Sequence, residues 1–217
     1  MAAQKRKTSR TRKIIPSKFF KLYSEELGIK LKKPISEKEL FKWFLSAILF
    51  GKPIQESVAK RTILCFFQHN LTSPEAILSA GWDRLVAILD EGGYVRYDFS
   101  TATKLLEIMQ KLKSEYNGKI LNIFKRSKSY KELEKRLLSF KGIGPTTINI
   151  FLRELRHIFK IAEPPVTEHI KKTAKLLNIN LQNLNKHTKT FVRLECALHR
   201  FYQERKKKLR QKSHIKT

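Results

Sequence analysis

The sequence predicts an all-α fold, and three observations carry that prediction. Apolar residues recur at helical spacing in segment after segment from Ser36 to Phe201. Short polar or glycine-containing turns separate the segments, and no run alternates apolar and polar residues as a half-buried strand would. The 217 residues are 41% hydrophobic, enough to bury a core in one domain or in two interleaved lobes.

The first strong helix is SEKELFKWFLSAILF, where Ser36 and Glu39 form a capping-box signature and apolar residues continue to Phe50. QESVAKRTILCFF follows with the same periodicity, then SPEAILSAG, and then WDRLVAILDEGG, which its glycines stop. STATKLLEIMQKLKSEYNG is the longest central helix, ended by Asn-Gly, and SYKELEKRLLSF is amphipathic. PTTINIFLRELRHIF, TEHIKKTAKLLNI and KTFVRLECALHRFYQERKKK complete a set of about ten helices without an internal repeat.

Charge narrows the partner. Forty-six Lys and Arg face 19 Asp and Glu, a formal charge of +27, with a pI near 10.2. Such a surface suits a polyanion, nucleic acid before membrane, although a basic surface also serves solubility. No apolar run approaches the roughly 18 residues that span a bilayer and no signal-peptide core follows the first residues, so an intracellular protein is expected: cytoplasmic at the nucleoid, nuclear or organellar. Cys65 and Cys196 lie among apolar residues, which predicts buried free thiols. Two cysteines supply neither a four-cysteine iron–sulfur cluster nor a zinc ribbon, and no metal or cofactor is expected. Basic stretches without apolar periodicity, MAAQKRKTSRTRK and RKKKLRQKSHIK, predict unstructured electrostatic arms at 1–15 and 205–217.

The most informative stretch is LLSFKGIGPTTINIFLREL, residues 137–155. Gly142 and Gly144 allow backbone angles and close approach that a β-carbon forbids, and Pro145 suits the first turn of a helix. The joint therefore predicts a tight hairpin. Its second helix begins with unpaired N–H groups and the positive end of the helix dipole, a seat for phosphate to which the hydroxyls of Thr146 and Thr147 can add. Leu137, Leu138, Ile143, Ile148 and Phe151 would lock the two helices together.

This stretch resembles the helix-hairpin-helix motif. From about Phe19 to Phe201 the order of segments is similar to that of the endonuclease III-like DNA glycosylases, the helix-hairpin-helix-GPD superfamily. WFLSAILFGKPIQESVAKRT resembles the helix, loop and helix beside that family's lesion pocket, and EGGYVRYDFSTATKLLEIMQKLKSEYNG its wedge loop and following helix. PPVTEHIKKTAKLL resembles the turn and helix that carry its catalytic aspartate. The resemblance implies a two-lobed all-α fold with a DNA cleft between the lobes, and a damaged base flipped into a pocket. The first lobe would be a six-helix bundle at 36–158, and the second would combine 16–35 with 159–204. A single Cys196 in the second lobe implies a branch without the iron–sulfur cluster, and the family's habit implies a monomer.

The resemblance also implies the site. The family's catalytic aspartate aligns with Thr167, and the lysine of its strand-cleaving members aligns with Thr146. Breaking an N-glycosidic bond builds positive charge on the sugar, which a carboxylate stabilises, so Glu168 and Asp98 are the catalytic candidates. Either also has a structural role available at the start of a helix. The expected DNA contacts are Lys141, Gly142, Ile143, Gly144, Thr146 and Thr147 at the hairpin, with Lys52 and Gln55 in the loop that fills the gap left by a flipped base. Tyr94 and Arg96 belong to the wedge, and Lys171 contacts phosphate. The expected activity is base excision on damaged duplex DNA, an N-glycosylase with a strand-cleaving lyase step left open. The alternative is a glycosylase-like protein that reads damage without chemistry.

Overall fold

In a computed structural model, residues 14–214 are described; most of the basic arm expected at 1–15 lies outside them. The described residues hold ten α-helices and no strand. They are α1 (Tyr23–Glu26), α2 (Glu37–Phe50), α3 (Glu56–Gln68), α4 (Pro74–Glu91) and α5 (Asp98–Tyr116). Then come α6 (Ile120–Lys125), α7 (Tyr130–Leu138), α8 (Pro145–Arg153), α9 (Glu168–Leu176) and α10 (Lys189–His214).

Local chemistry fixes most of the helix starts. Ser36, Ser73 and Ser129 each accept, through the side chain, the N–H three residues on, at 3.2, 3.2 and 3.3 Å. The capping box at Ser36 closes on one side only. Glu39 turns away from Ser36 and accepts the N–H of Lys30, tying the preceding segment to α2. Gly81, at φ +71°, breaks α4 where two helices were expected to meet. Asn117 ends α5 in the left-handed conformation at φ 53°.

Two compact units result. The larger spans Leu27–Pro164, wider than the 36–158 lobe anticipated, because Glu39 holds Lys30 at one end and Arg156 donates to the Pro164 carbonyl at the other. Its core is aromatic. Trp43 is fully buried and donates its indole N–H to the Phe151 carbonyl at 2.9 Å. Phe44 meets Phe140 and Phe151 edge-on, with ring centroids 6.3 and 5.2 Å apart.

The other unit combines the segment ending at Glu26 with the chain from Pro165 onward. Its core gathers Ile15, Phe19, Val166, Ile170, Phe191 and Leu198. Arg193 and Arg200 on α10 fasten the early segment through Glu25 (2.6 Å) and Glu26 (2.7 Å). Arg200 also lies 4.1 Å over the ring of Tyr23.

Two expectations change. The basic segment from Arg205, expected to be unstructured, continues α10 through His214: its Lys, Arg, Leu and Gln are good helix formers, and Glu204 pairs with Lys208 one turn on at 3.4 Å. In addition, α8 stops at Arg153 instead of running through Phe159. Tighter turns replace it, with the N–H of Leu155 on the Leu152 carbonyl and that of Ile158 on the Leu155 carbonyl.

Candidate nucleic-acid interface

The hairpin is built by its own residues. After α7, Phe140 is buried and stacks on Tyr116 at 5.9 Å, which anchors the joint in the core. The Ile143 N–H returns to the Phe140 carbonyl at 3.0 Å, closing the turn, and the Ile143 side chain is buried. Gly142 sits at φ +89°. A β-carbon there would also press within 2.8 Å of the Lys104 side chain, so glycine serves both backbone angle and space. Gly144 is the N-cap of α8, its carbonyl accepting the Ile148 N–H at 3.0 Å, and Pro145 follows at the first helical position. The N–H groups of Thr146 and Thr147 lie in the first turn, where the helix offers them no acceptor. Thr146 is exposed and Thr147 is buried.

Two other segments converge on this joint. Gly51, ending α2, lies so close to Thr147 that a β-carbon would collide with the threonine hydroxyl. Lys52 follows, half-buried, with its amine near that of Lys104 on α5. Partial burial first, then the neighbouring amine of Lys104, push Lys52 down to about 8 from the usual lysine value of 10.5. Lys141 sits at the surface of the hairpin and pairs with Glu107 on α5 at 2.8 Å. Thus Lys52, Lys104, Gly142 and Thr147 share one neighbourhood.

The Lys52 shift has a consequence for stability. Between about pH 8 and 10.5 the unfolded chain holds the Lys52 proton and the folded chain releases it, so stability rises with pH across that window. The melting temperature of the wild type relative to Lys52→Met is therefore expected to climb from pH 8 to pH 10. A difference that stays flat or falls in paired thermal melts would contradict this placement of Lys52.

The remaining predicted residues divide. Gln55 is exposed and caps α3 through its backbone only. Tyr94, expected to reach outward and enter a base stack, is fully buried instead. Its hydroxyl donates to the Leu49 carbonyl at 2.6 Å, and burial pushes its ionisation well above the usual tyrosine value. Exposed apolar surface at this loop belongs to Val95, and beyond it to Phe99 and Trp82, whose rings lie 5.3 Å apart. Arg96 is exposed, 5.5 Å from the Tyr97 ring. Asp98 is buried at the start of α5 and accepts the Phe99 N–H at 2.6 Å. Desolvation, then the adjoining Asp98 carboxyl, raise the acid of Asp90.

In the smaller unit, Thr167 is the N-cap of α9 and its hydroxyl lies 3.3 Å from His169 Nε2, which in turn lies 2.9 Å from His199 Nδ1. Glu168 is the first residue of α9 and is exposed. Its carboxylate pairs with Lys171 at 2.6 Å, and that hydrogen bond and charge hold it below the usual glutamate value. It is a solvated anion at neutral pH.

Sequence reasoning missed Lys104. It sits mid-helix between Thr103 and Leu105, and Lys52 lies 52 positions earlier, so no local spacing marks it. Among the described residues no group of three His, Cys, Asp or Glu side chains converges as a metal set, and no helix is long and apolar enough to cross a membrane. Neither a protein-family model nor a curated protein matches the sequence.

Proposed function

We propose that this protein binds damaged duplex DNA through the hairpin at 140–147, draws the lesion base out of the stack, and hydrolyses its N-glycosidic bond. The observation that supports the reading best is the joint itself. A left-handed glycine, an unpaired amide turn and a proline start are flanked by Lys52, Lys104 and Lys141 in a chain of charge +27. Phosphate oxygens find N–H donors and positive charge there together, and Val95 and Arg96 supply an apolar and a cationic side chain suited to a disturbed base step.

For the chemistry, Glu168 is ionised and accessible, as a carboxylate must be to stabilise a developing oxocarbenium ion. Lys171 is the contact it would exchange for the sugar. Under single-turnover conditions Glu168→Gln is expected to lower base release at least a hundredfold while DNA affinity stays within about twofold. Undiminished release in that variant would remove Glu168 from the mechanism.

A second reading, a damage-reading protein without chemistry, draws on Thr146 and Thr167 at the positions where the resemblance implies a lysine and an aspartate. One experiment separates the two. Duplexes carrying uracil, thymine glycol, 8-oxoguanine, hypoxanthine, alkylated purines or an abasic site are incubated with excess protein, then read before and after alkali and with borohydride. Alkali-dependent cleavage of any one supports the glycosylase, whereas tight binding without release from all of them supports the reader.

A further inference from the structure

The geometry points to a two-amine phosphate seat formed by Lys52 and Lys104 beside the hairpin, filled by one backbone phosphate of DNA. This rests on the DNA-binding reading above and adds to it a specific pair of side chains and a linked protonation.

The placement is structural. Lys104 runs over Gly142, where a β-carbon would stand 2.8 Å from its stem, and Lys52 is set by the packing of Gly51 on Thr147. The Lys104 amine lies close enough to act on that of Lys52, and among the described residues neither has a carboxylate partner. Two other lysines on the neighbouring segments are already paired. Lys141 holds Glu107 at 2.8 Å, and Lys60 binds Glu56 at 2.5 Å. Gln55 is neutral, and the amide end of α8 adds only partial positive charge. Two like charges in contact without a counter-ion form an anion site, and a phosphodiester offers two unbridged oxygens, one for each amine.

The proton balance follows. Without phosphate, Lys52 loses its proton near pH 8, driven by burial and by Lys104. With a phosphate anion between the amines, the repulsion is offset and Lys52 returns toward its ordinary value of 10.5. Above about pH 8 the complex therefore holds more protons than the free protein, so affinity falls as pH rises. Between pH 7 and pH 9 the weakening is about tenfold.

The test uses the full chain and a short fluorescein-labelled duplex with a central tetrahydrofuran abasic analogue, titrated by anisotropy at fixed salt at pH 7 and pH 9. Wild type is expected to bind about tenfold more weakly at pH 9. Lys52→Arg, which keeps its charge throughout, is expected to bind at pH 9 as it does at pH 7. Lys104→Met removes the repulsion but leaves the partial burial of Lys52, so its profile is expected to be shallower than that of wild type and still steeper than that of Lys52→Arg. Calorimetry near pH 8.5 in buffers of different ionisation enthalpy is expected to show net proton uptake by wild type and none by Lys52→Arg. If wild type binds at pH 7 and its affinity falls no more than that of Lys52→Arg, the seat is wrong and the DNA-binding reading stands. Absence of binding at pH 7 would overturn that reading, and the seat with it.

Discussion

Replacing Gly144 with aspartate is expected to leave the fold intact and to weaken duplex binding on the order of a hundredfold. Gly144 has φ −111° and ψ 179°, extended backbone that any residue adopts, and a β-carbon there meets nothing within 4 Å. Aspartate is moreover a favoured N-cap, so α8 is expected to melt no earlier in the variant. The harm is confined to binding. Its carboxylate would accept the N–H groups of Thr146 or Thr147 and place a negative charge where a phosphate would sit. At about 4 Å and an effective dielectric near 20, two like charges repel by about 4 kcal/mol before screening, which sets the scale of the loss. Gly144→Asn occupies the same amides without charge and is expected to fall between the variant and wild type. High salt should narrow the gap. Anisotropy titrations beside thermal melts are decisive: an unchanged melt with unchanged affinity would show that DNA does not touch the hairpin.

That experiment depends on features that were legible in the sequence, and their legibility has a physical cause. The hairpin could be read because its geometry is local. Positive φ at Gly142, the proline start and the flanking apolar residues all lie between Leu137 and Phe151. Helix starts at Ser36, Ser73 and Ser129 were equally local, since each cap closes over three residues. By contrast α6 had no local signal. It is short, and its first N–H groups, of Ile120 and Leu121, are accepted by Glu37 from the start of α2. Tyr94 was misplaced for a similar reason: a tyrosine in a glycine-rich loop looks exposed until the Leu49 carbonyl, 45 residues earlier, receives its hydroxyl. Lys104 became part of the site only through Lys52 and Gly142. Residues that depend on distant partners are those for which spacing along the chain carries no information.

Gly92 makes the same point about stability, because its constraint is set by another helix. It ends α4 at φ −71°, so alanine would meet no backbone strain there. A β-carbon would nevertheless be driven against the Cα, Cβ and hydroxyl of Thr62 on α3, all well inside contact distance. Thr62 cannot yield by rotation alone, since it is fully buried, its hydroxyl bonds the Val58 carbonyl at 2.9 Å, and one of the colliding atoms is backbone. Arg61 also donates to the Gly92 carbonyl at 2.8 Å, so separating the helices strains that bond too. Gly92→Ala is expected to cost about 3 kcal/mol. At roughly 2–4 °C per kcal/mol for a chain of this size, the melting temperature should fall by about 6–12 °C. Gly144→Ala, with open space around it, supplies the control and should melt with wild type. A shift below about 2 °C for Gly92→Ala would mean that α3 and α4 are not packed this closely. Because α3 begins just after the loop carrying Lys52 and Gln55, a displaced α3 should also weaken DNA binding at temperatures where the variant is still folded. That coupling of a core contact to the proposed interface can be read in the same anisotropy assay.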